Sequence, residues 1–113
     1  MASFIISANA ALDLQTPDGS MTTLVTDTAY TEQIAAGQQY IGTPASSGEL
    51  EIVLSNAQGG SITGQLQTQA ADGTWTTAET VTIGKGVKNA VIFLNDPSTD
   101  PSLAPQRLVI GLS

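Results

Sequence analysis

A chain of 113 residues with ten acidic and three basic side chains, no histidine and no cysteine is open to few chemistries. Its net charge of −7 leaves Lys85, Lys88 and Arg107 as the only cations, too few to neutralise the phosphates that nucleic-acid binding requires and the wrong balance for an anionic membrane surface. Without Cys or His there are no disulfides, no thiolate or imidazole metal ligands and no imidazole base.

The length fits a single domain, residues 1–113. Hydrophobic residues make up 41% of the chain and aromatics 4%, so the core is expected to be aliphatic. The charge-poor surface must draw its polarity from Thr, Ser, Gln and Asn, a composition that suits exposed β-structure. No apolar run reaches transmembrane length, and residues 1–6 lack the basic start and long apolar stretch of a signal peptide. The expectation is a soluble protein made in the cytoplasm.

In chain order, Phe4-Ile5-Ile6 reads as a short strand, and residues 1–8 as a possible N-terminal contact arm. Residues 8–14 are open between a helical turn and extended chain. Thr16-Pro17-Asp18-Gly19-Ser20 is a turn, since Pro pre-sets φ and Gly accepts a positive one. Residues 21–27 read as a strand. Residues 28–36 are open between a short helix and an irregular strand, and Gln39-Tyr40-Ile41 reads as another short strand. Residues 42–48 are a loop by composition.

The clearest pattern lies in residues 49–75. Leu50, Ile52 and Leu54 alternate with Glu49, Glu51, Val53 and Ser55, and Ile62, Gly64 and Leu66 alternate with Thr63, Gln65 and Gln67. This period of two marks strands with one buried face. The Gly59-Gly60 link between the runs predicts a long antiparallel hairpin. Asp72-Gly73 turns the chain again, and Trp75 opens a strand to Ile83. Gly84-Lys85-Gly86 is a tight turn. Residues 88–95 form the most apolar strand, with Val91 and Phe93 on one face and Ala90, Ile92 and Leu94 on the other. Such a strand belongs in the middle of the fold or at a contact with another chain. Residues 95–101 are a loop, and residues 107–112 a last strand. No internal repeat is evident. Short strands at this spacing predict an all-β, antiparallel β-sandwich or jelly roll.

The candidate chemistry is thin. A Ser nucleophile would need Lys85 or Lys88 as its base, and both lie beside a Gly turn where a solvated lysine guards an edge. Glu49 and Glu51 share a strand face, the usual wet side of a sheet rather than a glycosidase pair. Asp96 and Asp100 could hold calcium, but Asp before Pro is ordinary turn chemistry. No catalytic residue, cofactor or metal is expected. Trp75 reads as a core or interface anchor, or else as a platform on which a sugar could stack.

The order of elements from residue 28 onward resembles a known family. An alternating strand (Leu50 to Leu54), a Gly-Ser link, the segment from Leu66 to Trp75, a polar strand, the apolar run Ala90 to Leu94 and a final strand from Gln106 to Leu112 are similar to the small cement or decoration proteins of tailed-bacteriophage heads, of the kind found on a Bordetella phage. Gln69-Ala70-Ala71 stands where a Ser-containing step is common in that family, and Trp75 where Phe is usual. The resemblance implies a non-enzymatic virion protein on the capsid surface that stabilises the head. Its partners would be the major capsid protein and copies of itself, as homodimer or homotrimer. Interface candidates are Phe4, Ile5, Ile6, Trp75, Val91 and Phe93. The alternatives are a glycan-binding β-sandwich of a phage tail or adhesin, and a baseplate or head-completion component. An exposed Trp75 beside Asp and Asn would favour the glycan reading, and a Trp75 buried at a subunit seam the cement reading.

Overall fold

The computed structural model describes residues 2–45, 49–84, 86–95 and 104–112. The described chain is a sandwich of two antiparallel sheets with no helix. The strands are β1 (Ala2–Ala8), β2 (Leu12–Gln15), β3 (Met21–Leu24), β4 (Tyr30–Ile34), β5 (Gln39–Pro44), β6 (Glu49–Gln58), β7 (Ile62–Gln69), β8 (Trp75–Ile83), β9 (Asn89–Asn95) and β10 (Gln106–Leu112). A four-stranded sheet runs β4-β1-β6-β9 and a six-stranded sheet runs β3-β2-β5-β10-β7-β8. Both ambiguous stretches resolve to strands, β2 and β4.

Alternation sets the layers. Phe4 and Ile6 of β1, Leu50, Ile52 and Leu54 of β6, and Ile92 and Leu94 of β9 turn inward from the smaller sheet. They meet Leu12, Leu14, Tyr40, Ile62, Leu108 and Ile110 from the larger one. The Phe4 and Tyr40 rings pack edge to face, centroids 5.3 Å apart at 82°. Burial is the main cause that raises the Tyr40 phenol above its ordinary pKa, with the Glu32 carboxylate adding to it. The hydroxyl donates to the Gln33 carbonyl at 2.8 Å, so burial leaves no orphan donor there. No polar or charged residue is buried among the described residues.

Two expectations are corrected. The runs in residues 49–75 do not form a hairpin: β6 pairs with β1 and β9, whereas β7 pairs with β10 and β8. The Gly59-Gly60 link, with φ of 77° and 148°, carries the chain from one sheet to the other. Both strands bury apolar faces, and stacking those faces across the sandwich removes more apolar surface from water than pairing them side by side would. Residues 2–8 are also no arm. β1 is an inner strand between β4 and β6, and its alternate side chains lie in the core.

The strand order carries a symmetry. Exchanging β1 with β6, β2 with β7, β3 with β8, β4 with β9 and β5 with β10 reverses each sheet onto itself. The central pairs β1–β6 and β5–β10 are antiparallel, as a two-fold axis through both sheets demands. The same hairpin occurs in each half, β2–β3 and β7–β8. Residues 12–23 align with 66–77, and Leu12/Leu66, Gln15/Gln69, Asp18/Asp72, Gly19/Gly73, Thr22/Thr76 and Thr23/Thr77 are identical, six of twelve positions. Local bonding matches as well. Gly19 and Gly73 both have φ of 91°. Their amides donate to Thr16 and Ala70 carbonyls at 2.9 Å in both turns. Asp18 and Asp72 accept from the Ser20 and Thr74 amides, each at 2.9 Å. At the start of β5 and β10, Gln38 accepts from the Ala35 amide and Gln106 from the Asn95 amide, both at 2.9 Å. The chain is thus built from two equivalent five-strand halves, contrary to the absence of a repeat expected from its sequence.

Candidate functional site: the two outer sheet faces

The predicted interface residues scatter over the fold. Phe4 and Ile6 are fully buried and unavailable to a partner. Ile5, between them, faces outward from the four-stranded sheet and is half-buried. Val53 on β6 shares that face, and its neighbour across the ladder is Val91 of β9. Val91 and Phe93 are 47% and 48% exposed. Phe93 lies opposite Glu51, and Asn95 opposite Glu49. This face therefore offers an apolar strip, Ile5, Val53, Val91 and Phe93, with two carboxylates at one end. The expected two-sided apolar character of β9 holds, but the strand lies at the sheet edge rather than mid-sheet. Its inner side chains fill the core and its outer ones meet solvent.

Trp75 is on the other outer face. It begins β8 opposite Gln69 and is half-buried. The Arg107 guanidinium carbon sits 4.2 Å from the ring centroid, within cation–π range. Arg107 Nε also donates to Gln67 Oε1 at 2.8 Å. Partial burial under these neighbours lowers the guanidinium pKa from its usual value. Trp75 is accordingly neither core nor a bare platform: Arg107 covers a face of its ring.

The remaining candidates are quickly placed. Glu49 and Glu51 are on the solvent side of β6, as a wet strand face requires. Lys88 is exposed just before β9. Lys85, Asp96 and Asp100 lie outside the described residues. Among the described residues no group of three or more acidic, His or Cys side chains is arranged to hold a metal ion. A groove of about 500 Å³ runs beside the first Asp-Gly turn, lined by Gln15, Asp18 and Gln38 among others. Its one carboxylate, Asp18, is lowered to a pKa of about 2, chiefly by the Thr16 hydroxyl and then by Ser20. A carboxylate held ionised by its own turn is spent on local structure and is a poor proton acceptor near neutral pH. The groove offers hydrogen bonds rather than acid–base chemistry.

The edge strands were missed by sequence reasoning. Alternation identifies the outward residues of β9 but not that its outer backbone edge has no strand beside it among the described residues, because pairing depends on strands distant in sequence. No protein-family model, curated protein or solved structure matches the chain.

Proposed function

We propose that this chain is a non-enzymatic structural protein of a phage virion, binding the outside of the capsid as a cement or decoration protein that stabilises the head. The observation that carries this reading is the apolar pair Val91 and Phe93, which share one outer sheet face with Val53 and are about half exposed, while Met21, Val25 and Val87 are exposed elsewhere on the fold. A rigid two-layer body with a small apolar contact strip is suited to assembly. The strand order and the turn at Asp72-Gly73 support it through their resemblance to phage-head cement proteins. The partner in this reading is the major capsid protein, with dimers or trimers of the chain itself as a further contact. Each contact can be weak, because repetition over a lattice multiplies weak contacts into stable attachment. The net charge of −7 keeps free copies apart before they dock.

The test is co-sedimentation of the purified chain with mature heads that lack it. Saturable binding, with added resistance of the heads to heat or chelation, is the expected result. Heads that neither bind the chain nor gain resistance would remove the cement reading.

A further inference from the structure

Among the described residues the sandwich has four edge strands: β4 and β9 in one sheet, β3 and β8 in the other. Folded proteins protect such edges with charge, short length, proline or bulges, because an open edge templates pairing with another chain. β3 has only four residues. β8 carries Glu79 among threonines and faces a register shift at Leu66/Gln67. β4 carries Glu32 between Thr31 and Gln33. β9 has none of these within its span: its seven residues, Asn89-Ala90-Val91-Ile92-Phe93-Leu94-Asn95, include no charge and no proline, and the exposed Lys88 guards only its first end.

The internal two-fold makes the contrast sharper. In β4 and β1, Thr31 pairs with Ile5 and Gln33 with Ser3. In β9 and β6, the equivalent pairs are Val91 with Val53 and Phe93 with Glu51. One architecture thus accepts Thr and Gln at these outward positions in one half and presents Val and Phe in the other. The fold does not require the apolar pair.

We propose that β9 is a docking edge for an extended segment of a partner protein that bears basic side chains. The segment would continue the four-stranded sheet, lay its apolar side chains over Val91 and Phe93, and set a Lys or Arg against Glu49 and Glu51. Charge selects this occupant over a second copy of the chain. The carboxylates stand beside Phe93 on the same face, and a copy with the same net charge of −7 brings like charges together. Backbone pairing supplies affinity and the alternating side chains supply specificity. The inference deepens the capsid reading, where the segment belongs to the major capsid protein, and it can be tested apart from it.

The first arm is an amide-shift titration of the intact chain with a synthetic peptide of alternating Val and Lys, and with its Val/Glu counterpart. Shifts confined to β9 and its β6 neighbours with the Lys peptide alone are expected. No shift at β9, or equal shifts with both peptides, overturns the docking edge. The second arm measures head binding by wild type and by Val91→Thr/Phe93→Gln, which installs the residues of β4. A loss of at least ~10-fold, the factor set by 1.4 kcal/mol, is expected with an unchanged melting temperature. Undiminished head binding by the folded double variant overturns the proposal. Heads that bind neither protein, together with peptide shifts on β9, refute the capsid reading and leave the edge standing. A concentration-dependent dimer of the wild type that the double variant abolishes makes a second copy the occupant and overturns the proposal.

Discussion

Ala2 and Leu50, Phe4 and Ile52, and Ile6 and Leu54 hold equivalent inward positions in β1 and β6, and all six are buried and apolar. One strand further out, Thr31 and Gln33 of β4 face solvent where β9 has Val91 and Phe93. At these central positions the same backbone frame keeps its chemistry, and at the outward edge positions it changes it. Interior positions are constrained by burial, since a polar group there would need a partner that the aliphatic core does not supply. Outward edge positions are free of that constraint, so they can differ between the halves without disturbing the core.

The largest test of that contrast lies in the core. Phe4→Ala should cost about 3–5 kcal/mol, and Ile52→Ala about 2–5 kcal/mol. Both are fully buried at equivalent positions. Deleting residues 2–8 should abolish folding, because it removes an inner strand that pairs on both sides. Val91→Thr/Phe93→Gln should instead stay within about 0.5 kcal/mol of wild type per exposed site. Urea denaturation reads all four. An edge variant as destabilising as a core variant would break the distinction between the two regions.

A smaller effect compares two glycines on inward faces of the larger sheet. A Cβ on Gly64 would meet Leu54 Cδ1 at 3.1 Å and Val81 Cγ2 at 3.3 Å. The nearest atoms to a Cβ on Gly42 would be those of the Leu12 side chain, at 3.4 Å or more. Gly64→Ala should therefore destabilise by about 1–3 kcal/mol through overpacking. Gly42→Ala should be neutral or stabilising by up to about 1 kcal/mol, through the stiffer unfolded chain. Equal effects would mean that the packing about Gly64 relaxes freely.

Below these stands the Arg107–Trp75 stack. Arg107→Gln should cost about 0.5–1 kcal/mol, the usual worth of an exposed cation–π pair. Trp75 is the only tryptophan, so its emission should shift to longer wavelength as the ring gains water. Unchanged emission would show that other neighbours shield the ring.

These outcomes also mark how far the sequence can be read. Alternation in Leu50, Ile52 and Leu54 identified a buried face correctly, as it did the opposed faces of β9. Alternation says which side of a strand is dry, however, and not which strand lies beside it. Two glycines with positive φ serve a crossing between sheets as well as a hairpin, so β6 and β7 were paired wrongly. The run Phe4-Ile5-Ile6 is equally ambiguous: Ile5 faces out while its neighbours are core. The duplication was hidden because the halves differ in element length, with four residues in β2 against eight in β7. The local match survives only around the two Asp-Gly turns. The open edge of β9 had no local signal at all, being a property of the whole strand order.

The finest comparison lies in those turns. Asp18 and Asp72 each accept a backbone hydrogen bond from the residue two positions on, which stabilises the ionised form and lowers both pKa values from 3.8. Asp18 gains a further bond from the Thr16 hydroxyl, where the equivalent residue of the second turn is Ala70. Carboxyl titration by NMR should therefore place Asp18 at about 2, below Asp72, and Thr16→Ala should bring the two together. The consequence for stability has a definite sign. A depressed pKa in the folded state contributes stability that is full above the unfolded value and is lost as pH falls toward the folded one. The melting-temperature deficits of Asp18→Asn and Asp72→Asn should both be present at pH 5 and fade on acidification, that of Asp72→Asn fading first. Both carboxylates are fully exposed, so these deficits should be the smallest of the series. Identical fading in the two variants would show that the Thr16 hydroxyl turns to water instead, and that the turns are equivalent in energy as well as in shape.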